Sequence, residues 1–354
     1  MRILIVKLGS IGDIIHTLPA LAALRAAMPR AEISWVVEQR SSEILRDNPI
    51  LDRLIEVDTK ALRRGLMSGE TLRAPRQQLR RLRASAFDLA IDFQGLLKSA
   101  SIARLSGARR VFGFSRDALR EPASRLLLSK SIPITAKTHV IRKNLALLAG
   151  ALGVAVPEDA SDFAFPIATS THHKEEAFLA SEGLDGRYVI LNPGGGWPTK
   201  LWSAERFGEL ADHLWSHHGL HSIISVGPGE EGLAEKVLQS SRSGKARVAT
   251  LSLKGFYELA AGAQLYVGGD TGPTHLAIAA GTPIVGLFGP TEWWRNGSPR
   301  PEDICVDRVD IDCRTDCHRR ACSNWICMDI EVDRVFQAAS KRLQSSSVLA
   351  QAYS

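Results

Sequence analysis

The sequence predicts an α/β fold made of two doubly wound parallel sheets, for two reasons. Short apolar segments rich in β-branched residues alternate with helix-like segments along nearly the whole chain, which is the pattern of parallel strands covered on both faces. The alternation also starts afresh at Tyr188, so each half of the chain carries its own set of strands. At 354 residues, with 45% apolar and 23% charged residues, the chain is long enough for two soluble domains of ordinary size.

Each half contributes strands and helices at regular intervals. The predicted strands of the first half lie near 2–8, 32–38, 53–58, 88–93 and 109–114, and its helices at 17–28, 97–106 and 139–153. The predicted strands of the second half lie at 188–191, 221–226, 248–253, 265–268 and 283–288, and its helices at 203–217 and 255–263. We therefore predict two Rossmann-like domains facing a cleft, with ligands beyond the carboxyl ends of the strands.

The expected domain limits follow from composition. The first domain covers 1–170 and the second 186–330, with the boundary in the polar region 165–187. The amphipathic tail at 331–354 is predicted to form a helix that packs back on either domain, the N-terminal one being the expected partner.

The start of the chain indicates a cytoplasmic protein. The apolar segment that ends at Val6 is followed at once by Lys7, so it predicts a first strand rather than a signal peptide. No apolar stretch of the sequence approaches the roughly 20 residues that a membrane helix needs.

The segment from Gly268 to His275 is the strongest candidate for a binding site. A strand stops at two glycines and the chain restarts as a helix, which aims free backbone N–H groups and the positive helix end at one spot. Thr271 is expected to cap that helix, Pro273 to lie in its first turn, and His275 to reach the same anion. The predicted ligand is a phosphate or diphosphate; the alternative is a capped corner without a ligand.

A second glycine-containing loop follows the first strand. Gly9 and Gly12 allow a tight turn and close approach of a substrate, and Asp13 falls at a helix start, where the dipole favours the ionised carboxylate. Such a carboxylate can take the proton of an attacking hydroxyl. A simple helix cap is the competing interpretation, and the loop is not a dinucleotide fingerprint.

Two further strand ends in the second half suit a phosphorylated nucleotide. Gly194, Gly195 and Gly196 expose backbone N–H groups after a strand, and Lys200 adds a mobile positive charge. Glu230 or Glu231, at the end of another strand, can accept hydrogen bonds from ribose hydroxyls. The alternatives are a surface turn at the glycines and an ordinary N-terminal helix acid at the glutamates.

Charge clusters at 60–83, where seven arginines and one lysine face the single acid Glu70. This segment suits an anionic partner such as a phosphorylated lipid or a membrane surface, or it is a solvated basic helix. Nucleic acid is disfavoured, because no aromatic residues are interleaved for base stacking.

Four cysteines crowd into one late segment: Cys313, Cys317, Cys322 and Cys327. The spacing could hold a tetrahedral zinc ion, but it lacks paired CxxC knuckles, and a cytosolic setting argues against disulfides. Reduced, locally packed thiols are the favoured interpretation. The nearby acids Asp310 and Asp312 look like a metal pair only by coincidence.

Three blocks together resemble glycosyltransferase family 9, the bacterial heptosyltransferases of lipopolysaccharide core synthesis. They are RILIVKLGSIGDIIHTLPALAALRAAMP, DLAIDFQGLLKSA and GGDTGPTHLAIAAGTPIVGLFGPT, which run from residue 2 to residue 291. The first two blocks, with Arg120-Glu121-Pro122, are most similar to the type I members. The resemblance implies a GT-B fold and a metal-independent, inverting transfer of heptose from ADP-heptose to a Kdo residue of Kdo-lipid A. It implies no further cofactor. The basic segment 60–83 predicts peripheral contact with the cytoplasmic face of the inner membrane.

The resemblance also implies roles for individual residues. Asp13 matches the catalytic base and Lys200 the lysine that stabilises the donor phosphates. The implied donor-binding residues are Gly194, Gly195, Gly196, Glu230, Glu231, Asp270, Thr271, Gly272, Pro273 and His275. The implied acceptor-binding residues are Ser10, Gly12, Arg63, Arg64, Gln94 and Arg120.

Three departures from the type I pattern leave the acceptor open. The glycine run replaces hydroxyl residues, the cysteine cluster resembles that of heptosyltransferase II and other branches, and Trp293-Trp294 has no clear counterpart. The alternatives are therefore heptosyltransferase II, a family 9 transferase for another glycan, and a non-catalytic ADP-sugar-binding protein.

Overall fold

A computed structural model describes residues 1–59, 79–80, 82–169, 174–184, 186–315 and 317–352, with side chains up to residue 345. The chain divides into two compact units, Met1–Ala168 and Thr169–Ser354. None of the helices within these ranges combines the length and the hydropathy that a membrane-spanning segment needs.

The first unit is built on a six-stranded parallel sheet with the order β3-β2-β1-β4-β5-β6. The strands are β1 (Arg2–Val6), β2 (Glu32–Glu38), β3 (Arg53–Val57), β4 (Leu89–Asp92), β5 (Arg110–Phe114) and β6 (Lys130–Ile132). The helices are α1 (Ile11–Ile15), α2 (Leu18–Ala27), α3 (Leu97–Leu105) and α4 (Val140–Leu152). The central strands β1 and β4 are almost entirely buried, as expected for a parallel sheet covered on both faces.

The second unit repeats this plan with a six-stranded parallel sheet of order β12-β11-β10-β7-β8-β9. The strands are β7 (Tyr188–Asn192), β8 (His221–Ser225), β9 (Ala246–Ala249), β10 (Leu265–Gly269), β11 (Ile284–Phe288) and β12 (Ile304–Asp307). The helices are α5 (Lys174–Ser181), α6 (Ala204–His218), α7 (Glu231–Ser240), α8 (Leu253–Ala261), α9 (Gly272–Ala279), α10 (Trp293–Asn296) and α11 (Val332–Ala352).

The predicted fold class is confirmed, with differences at three strands. β6 and β12 were not predicted, because they are short edge strands of three and four residues that mix polar and apolar side chains. β9 ends at Ala249 rather than at residue 253. The chain leaves that strand early because Ser252 caps α8, its hydroxyl accepting a hydrogen bond from Gly255 N at 3.1 Å.

The C-terminal helix α11 packs on the second unit. Val335 and Ala339 are fully buried in the same core cluster as Leu210 and Leu214 of α6. Arg342 Nε donates to Asp303 Oδ1 at 2.9 Å. The sequence leaves either domain open for this helix and favours the N-terminal one, whereas these contacts, through which its apolar face is buried, all belong to the second unit.

The strand order sets where each unit can bind a ligand. In each sheet the chain runs outward in both directions from two central neighbours, β1 and β4 in one and β7 and β10 in the other. The loops that leave the carboxyl ends of such a pair diverge to opposite faces and open a crevice at the sheet edge. Every predicted loop that carries a candidate catalytic group follows one of these four strands.

Candidate active site

Asp13 lies in the first turn of α1, directly beyond the carboxyl end of β1, as predicted. Its Oδ2 accepts a hydrogen bond from Ser10 N at 3.0 Å, and its side chain is 27% exposed. Lys7 Nζ lies 3.5 Å from Oδ1 and Arg120 Nη1 lies 4.0 Å from Oδ2. Burial alone would raise the pKa of Asp13, but Lys7, the Ser10 amide and Arg120 together hold it below the ordinary value of 3.8. The carboxylate is therefore ionised and still reachable.

Lys7 is a further member of this site, which the sequence pattern does not predict. Its side chain is buried and donates to Phe93 O at 2.9 Å. Asp92, fully buried at the end of β4, accepts from Gln94 N at 2.9 Å and from Ser99 Oγ at 3.0 Å. Burial raises the pKa of Asp92 to about 6, against the lowering effect of these hydrogen bonds and of Lys7. The Lys7 ammonium thus lies in the field of two carboxylates, of which only Asp13 is partly exposed.

The residues predicted to meet the acceptor do not all lie at this surface. Ser10 and Arg120 are exposed beside Asp13, whereas Gly12 is buried inside α1. Gln94 is buried, and its Oε1 accepts from Leu8 N at 3.1 Å, so it braces the loop. Arg63 and Arg64, with most of the basic segment, lie outside the described residues.

In the second unit, Lys200 and Asp270 form an ion pair. Lys200 Nζ donates to Asp270 Oδ2 at 2.6 Å and to Asp270 O at 2.9 Å, and it lies 4.3 Å from the centre of the Trp197 ring. The lysine side chain is only 13% exposed. The sequence predicts a mobile lysine after the glycine loop; instead, the short 3₁₀ turn Pro198–Lys200 and the carboxylate of Asp270 hold it in place.

Asp270 is the centre of this cluster. Asn296 Nδ2 donates to its Oδ1 at 2.7 Å, and His275 Nε2 lies 3.3 Å from the same oxygen. Burial would raise the pKa of Asp270, but His275 and Lys200 hold it well below its usual range. Asn296, at the end of α10, was not predicted. Its position after the carboxyl end of β11 is the signal that could have identified it.

The glycine loop after β7 differs from the open phosphate nest that the sequence predicts. Glu230 Oε1 accepts from Gly195 N at 3.0 Å, and its Oε2 accepts from Gly227 N at 2.8 Å. The carboxylate lies against Gly194, where an added Cβ would be 2.2 Å from Oε2. Glu230 therefore ties two strand-end loops together. Glu231 is exposed, and its Oε1 accepts from Gly229 N at 3.1 Å.

The start of α9 is as predicted, except for its cap. Gly272 and Pro273 occupy the first turn, but the Thr271 side chain makes no capping hydrogen bond to the helix. Its hydroxyl lies 3.2 Å from Thr274 Oγ1, which in turn lies 3.0 Å from the buried Tyr266 hydroxyl. Since the hydroxyls bond to one another, they leave the first amides of α9 to other acceptors.

The four clustered cysteines form no disulfide with one another and line one small cavity of about 90 Å³. Within the described ranges, no group of three or more His, Cys, Asp or Glu side chains is arranged to hold a metal ion. Burial, followed by the neighbouring thiols, raises the pKa of Cys327. This loop also contacts the lysine turn, because Thr199 Oγ1 donates to Arg319 O at 2.7 Å and Trp325 Nε1 donates to Thr199 O at 3.2 Å.

The acids Asp310 and Asp312 do not form a joint site for a cation. Arg308 binds both oxygens of Asp310, through Nε at 2.7 Å and Nη2 at 2.6 Å. This bidentate ion pair occupies the carboxylate.

The two clusters define the class of the protein. One holds a partly exposed, ionised carboxylate that can accept a proton; the other places a lysine, a histidine and a helix start where phosphate oxygens can bind. These are the working parts of a transferase that uses a nucleotide-activated donor. More narrowly, residues 76–324 match the model of glycosyltransferase family 9 (heptosyltransferase). The chain belongs to glycosyltransferase family 9.

Individual relatives agree with this assignment. The chain is 34% identical to lipopolysaccharide heptosyltransferase 1 of Pseudomonas aeruginosa over 293 residues, which cover 82% of this chain and 79% of the relative. It is 32% identical to lipopolysaccharide heptosyltransferase 1 of Escherichia coli, over 82% of this chain and 89% of the relative.

Solved structures extend the similarity to the whole fold. The structure of E. coli heptosyltransferase WaaC with ADP has a TM-score of 0.75 and 27% identity, covering 97% of this chain and 100% of that one. The structure of the same enzyme with ADP-2-deoxy-2-fluoro heptose has a TM-score of 0.73 and 26% identity, covering 98% and 100%. The GT-B type of fold and the glycosyltransferase class are thereby confirmed.

Proposed function

We propose that this chain transfers L-glycero-D-manno-heptose from ADP-heptose to a Kdo residue of Kdo-lipid A, during synthesis of the lipopolysaccharide inner core. The relatives named heptosyltransferase 1 and the neighbouring structure with an ADP-heptose analogue support the donor and the type of transfer. The observation that carries the proposal is the Asp13 carboxylate, which is kept ionised at a strand end and is partly exposed beside Arg120.

The reaction is a single displacement. The acceptor hydroxyl gives its proton to Asp13 as its oxygen bonds to the anomeric carbon of heptose, and the bond from that carbon to ADP breaks with its electron pair on the diphosphate. Attack from the face opposite the leaving group inverts the configuration. Ser10 N and Lys7 hold the two oxygens of Asp13 in position for this proton transfer.

Charge on the departing ADP is stabilised by groups of the second unit. The Lys200 ammonium has three N–H donors, and Asp270 accepts two of them, so the third can bind a phosphate oxygen. The uncapped first turn of α9 offers backbone amides and the positive end of the helix. Since the chain supplies these positive groups itself, the proposed transfer uses no metal ion and no other cofactor.

Arg120 is the residue proposed to bind the acceptor. A Kdo residue carries a carboxylate, and the exposed Arg120 guanidinium can pair with it next to Asp13. Arg120 lowers the pKa of Asp13 in the free protein. An acceptor carboxylate that neutralises Arg120 would raise the basicity of Asp13 at the moment when a base is needed. In this way an anionic acceptor would be favoured over a neutral one.

The decisive experiment compares two acceptors. Purified protein with ADP-heptose should add heptose to Kdo-lipid A and not to heptosyl-Kdo-lipid A, with activity retained in a chelator and an inverted anomeric centre by NMR. Asp13→Asn should bind ADP-heptose normally and lose turnover by at least about 10³-fold. Transfer to heptosyl-Kdo-lipid A alone would identify a type II enzyme. Binding of ADP-heptose without transfer to any acceptor would identify a sugar-nucleotide-binding protein.

A further inference from the structure

One indole ring in the second unit contacts two cations. Lys200 Nζ lies 4.3 Å from the centre of the Trp197 ring, and the guanidinium carbon of Arg320 lies 5.0 Å from the same centre. Trp197 is half-buried directly after the glycine loop, and Arg320 belongs to the late segment that carries the four clustered cysteines. Because the electron-rich face of an indole attracts cations, the ring draws both side chains to one place.

The segment that carries Arg320 is bound to the turn that carries Lys200. Thr199 Oγ1 donates to Arg319 O at 2.7 Å, and Trp325 Nε1 donates to Thr199 O at 3.2 Å. Thr199 is buried, and it lines the same cavity as the clustered cysteines. These contacts place the backbone on both sides of Arg320 next to the lysine turn, so the position of the arginine does not depend on its side chain alone.

The charge of Arg320 is available to a ligand. Its side chain is exposed, and no carboxylate of the described residues forms an ion pair with it. The acids on either side of it in the chain engage other arginines. Those that form such ion pairs are Asp307, Asp310, Asp329 and Glu331.

The charge of Lys200, in contrast, is compensated. Its ammonium lies 2.6 Å from the Asp270 carboxylate, so the pair adds little net charge to the site. In the proposed function the diphosphate gains a negative charge as its bond to heptose breaks. A cation without a carboxylate partner attracts that new charge more strongly than a compensated one. Arg320 is such a cation, and it lies at the same indole ring.

We propose that Arg320 binds the diphosphate of the sugar-nucleotide donor beside Lys200, and that Trp197 holds its guanidinium in position. A guanidinium presents its N–H groups as a planar fork that matches two phosphate oxygens, whereas an ammonium acts as a point charge. The inference rests on the proposed function for the identity of the donor. It adds a donor-binding residue that lies outside the three sequence blocks, which end at residue 291.

Calorimetric titration with ADP and with AMP tests the role of Arg320. Arg320→Gln should bind ADP about tenfold more weakly than wild type, and its loss for AMP should be smaller, because AMP carries one phosphate fewer. Arg320→Lys keeps the charge without the fork, so its loss for ADP should be about threefold. Arg319→Gln is the matched control. It removes the same charge from the adjacent exposed arginine, keeps the backbone oxygen that Thr199 binds, and should bind ADP like wild type.

The positioning role of Trp197 has a separate measurement. In a Trp197→Leu background the guanidinium is no longer held at the ring, so Arg320→Gln should weaken ADP binding only about twofold instead of tenfold. If Arg320→Gln caused the same loss in both backgrounds, Trp197 would not position Arg320.

Heptose transfer distinguishes this inference from the proposed function. Arg320→Gln should lower kcat at least about tenfold, since a contact to the leaving group is lost, while its midpoint of urea unfolding stays that of wild type. If wild type bound ADP through Arg320 but transferred heptose to no acceptor, the proposed function would be wrong and the role of Arg320 in binding the diphosphate would stand. If wild type transferred heptose and Arg320→Gln bound ADP as tightly as wild type, the role of Arg320 would be refuted and the proposed function would stand.

Discussion

Lys200 and Asp270 are bound to each other, with Nζ 2.6 Å from Oδ2 and 2.9 Å from the Asp270 carbonyl oxygen. Both residues come from loops at the carboxyl ends of the two central strands of the second sheet, β7 and β10. The ion pair holds the lysine side chain in one direction. Asn296 and His275 contact the other carboxylate oxygen of Asp270, Oδ1. Asp270 therefore acts as a support for the cation, and its own charge is largely neutralised.

Removing the lysine should harm both catalysis and stability. Lys200→Met should lower kcat by about 10²–10³-fold, since a contact to the leaving diphosphate is lost. It should also lower the free energy of unfolding by about 3 kcal/mol, because a nearly buried carboxylate loses its main partner. The double variant Lys200→Met/Asp270→Asn should recover most of the stability but not the activity. Denaturant unfolding measures the stability and steady-state kinetics measures kcat. If the stability losses of the two single changes simply added in the double variant, Lys200 and Asp270 would not stabilise each other.

Asn296 should behave as a positioning residue for Asp270. Asn296→Ala removes the hydrogen bond to Oδ1 and should reduce kcat about tenfold with ADP affinity nearly unchanged. Asn296→Asp places a second carboxylate against the first and should reduce kcat about tenfold further. Kinetics and calorimetric titration with ADP separate the two parameters. Equal activities of the alanine and aspartate variants would exclude this role.

The pH at which kcat/KM falls on the acid side should depend on the cations around Asp13. Lys7 and Arg120 both lower the pKa of Asp13, so its carboxylate, the proposed base, stays ionised as the pH falls. In Arg120→Gln the pKa of Asp13 rises, and the acid limb of kcat/KM should move to higher pH. Arg120→Lys keeps the charge and should leave the limb in place. If the acid limb of kcat/KM stayed at the same pH in Arg120→Gln, Arg120 would not lower the pKa of Asp13.

Local sequence patterns predict where the candidate catalytic groups lie but not which residues they contact. Asp13, Lys200 and the 270–275 segment could be found because glycines at the end of an apolar strand mark a strand end, and parallel strands bring such ends to one edge. Their partners depend on strand order and on side-chain geometry across the sheet. The pairing of Asp270 with Asn296, 26 residues away, is one such case.

The glycine loop shows the same limit. Three successive glycines indicate a close approach of something to the backbone, and phosphate was the natural candidate. The group that approaches in the structure is the carboxylate of Glu230, from a loop 35 residues further along the chain. From the sequence alone, a bound phosphate and the Glu230 carboxylate explain the glycines equally well, since both accept hydrogen bonds from the same exposed backbone amides.

Gly194 and Gly196 provide a matched pair for testing that loop. A Cβ on Gly194 would lie 2.2 Å from Glu230 Oε2, whereas a Cβ on Gly196 meets no atom within 4 Å. Gly194→Ala should therefore displace Glu230 and lower the free energy of unfolding by about 1–3 kcal/mol, with weaker ADP binding. Gly196→Ala should be nearly neutral in both measurements. If thermal unfolding and ADP titration gave the same result for both variants, Glu230 would not be what requires glycine at residue 194.

Asp92 should make the stability of the first unit depend on pH. Its pKa is about 6 in the folded protein and near 3.8 when unfolded, so the folded state binds the proton more tightly. The contribution of Asp92 to stability is thus most favourable below pH 3.8 and is lost as the pH rises through 6. The loss amounts to about 3 kcal/mol above pH 7.

The variant Asp92→Asn tests this dependence. It keeps the acceptor for the Gln94 and Gly95 amides and removes the titrating group. Relative to wild type, its free energy of unfolding should increase by about 2 kcal/mol between pH 4.5 and pH 7.5, as measured by urea unfolding. The control Ser99→Ala leaves the carboxyl group in place, so its stability should change with pH in the same direction as that of wild type. If the difference in free energy of unfolding between Asp92→Asn and wild type did not vary with pH, burial would not raise the pKa of Asp92.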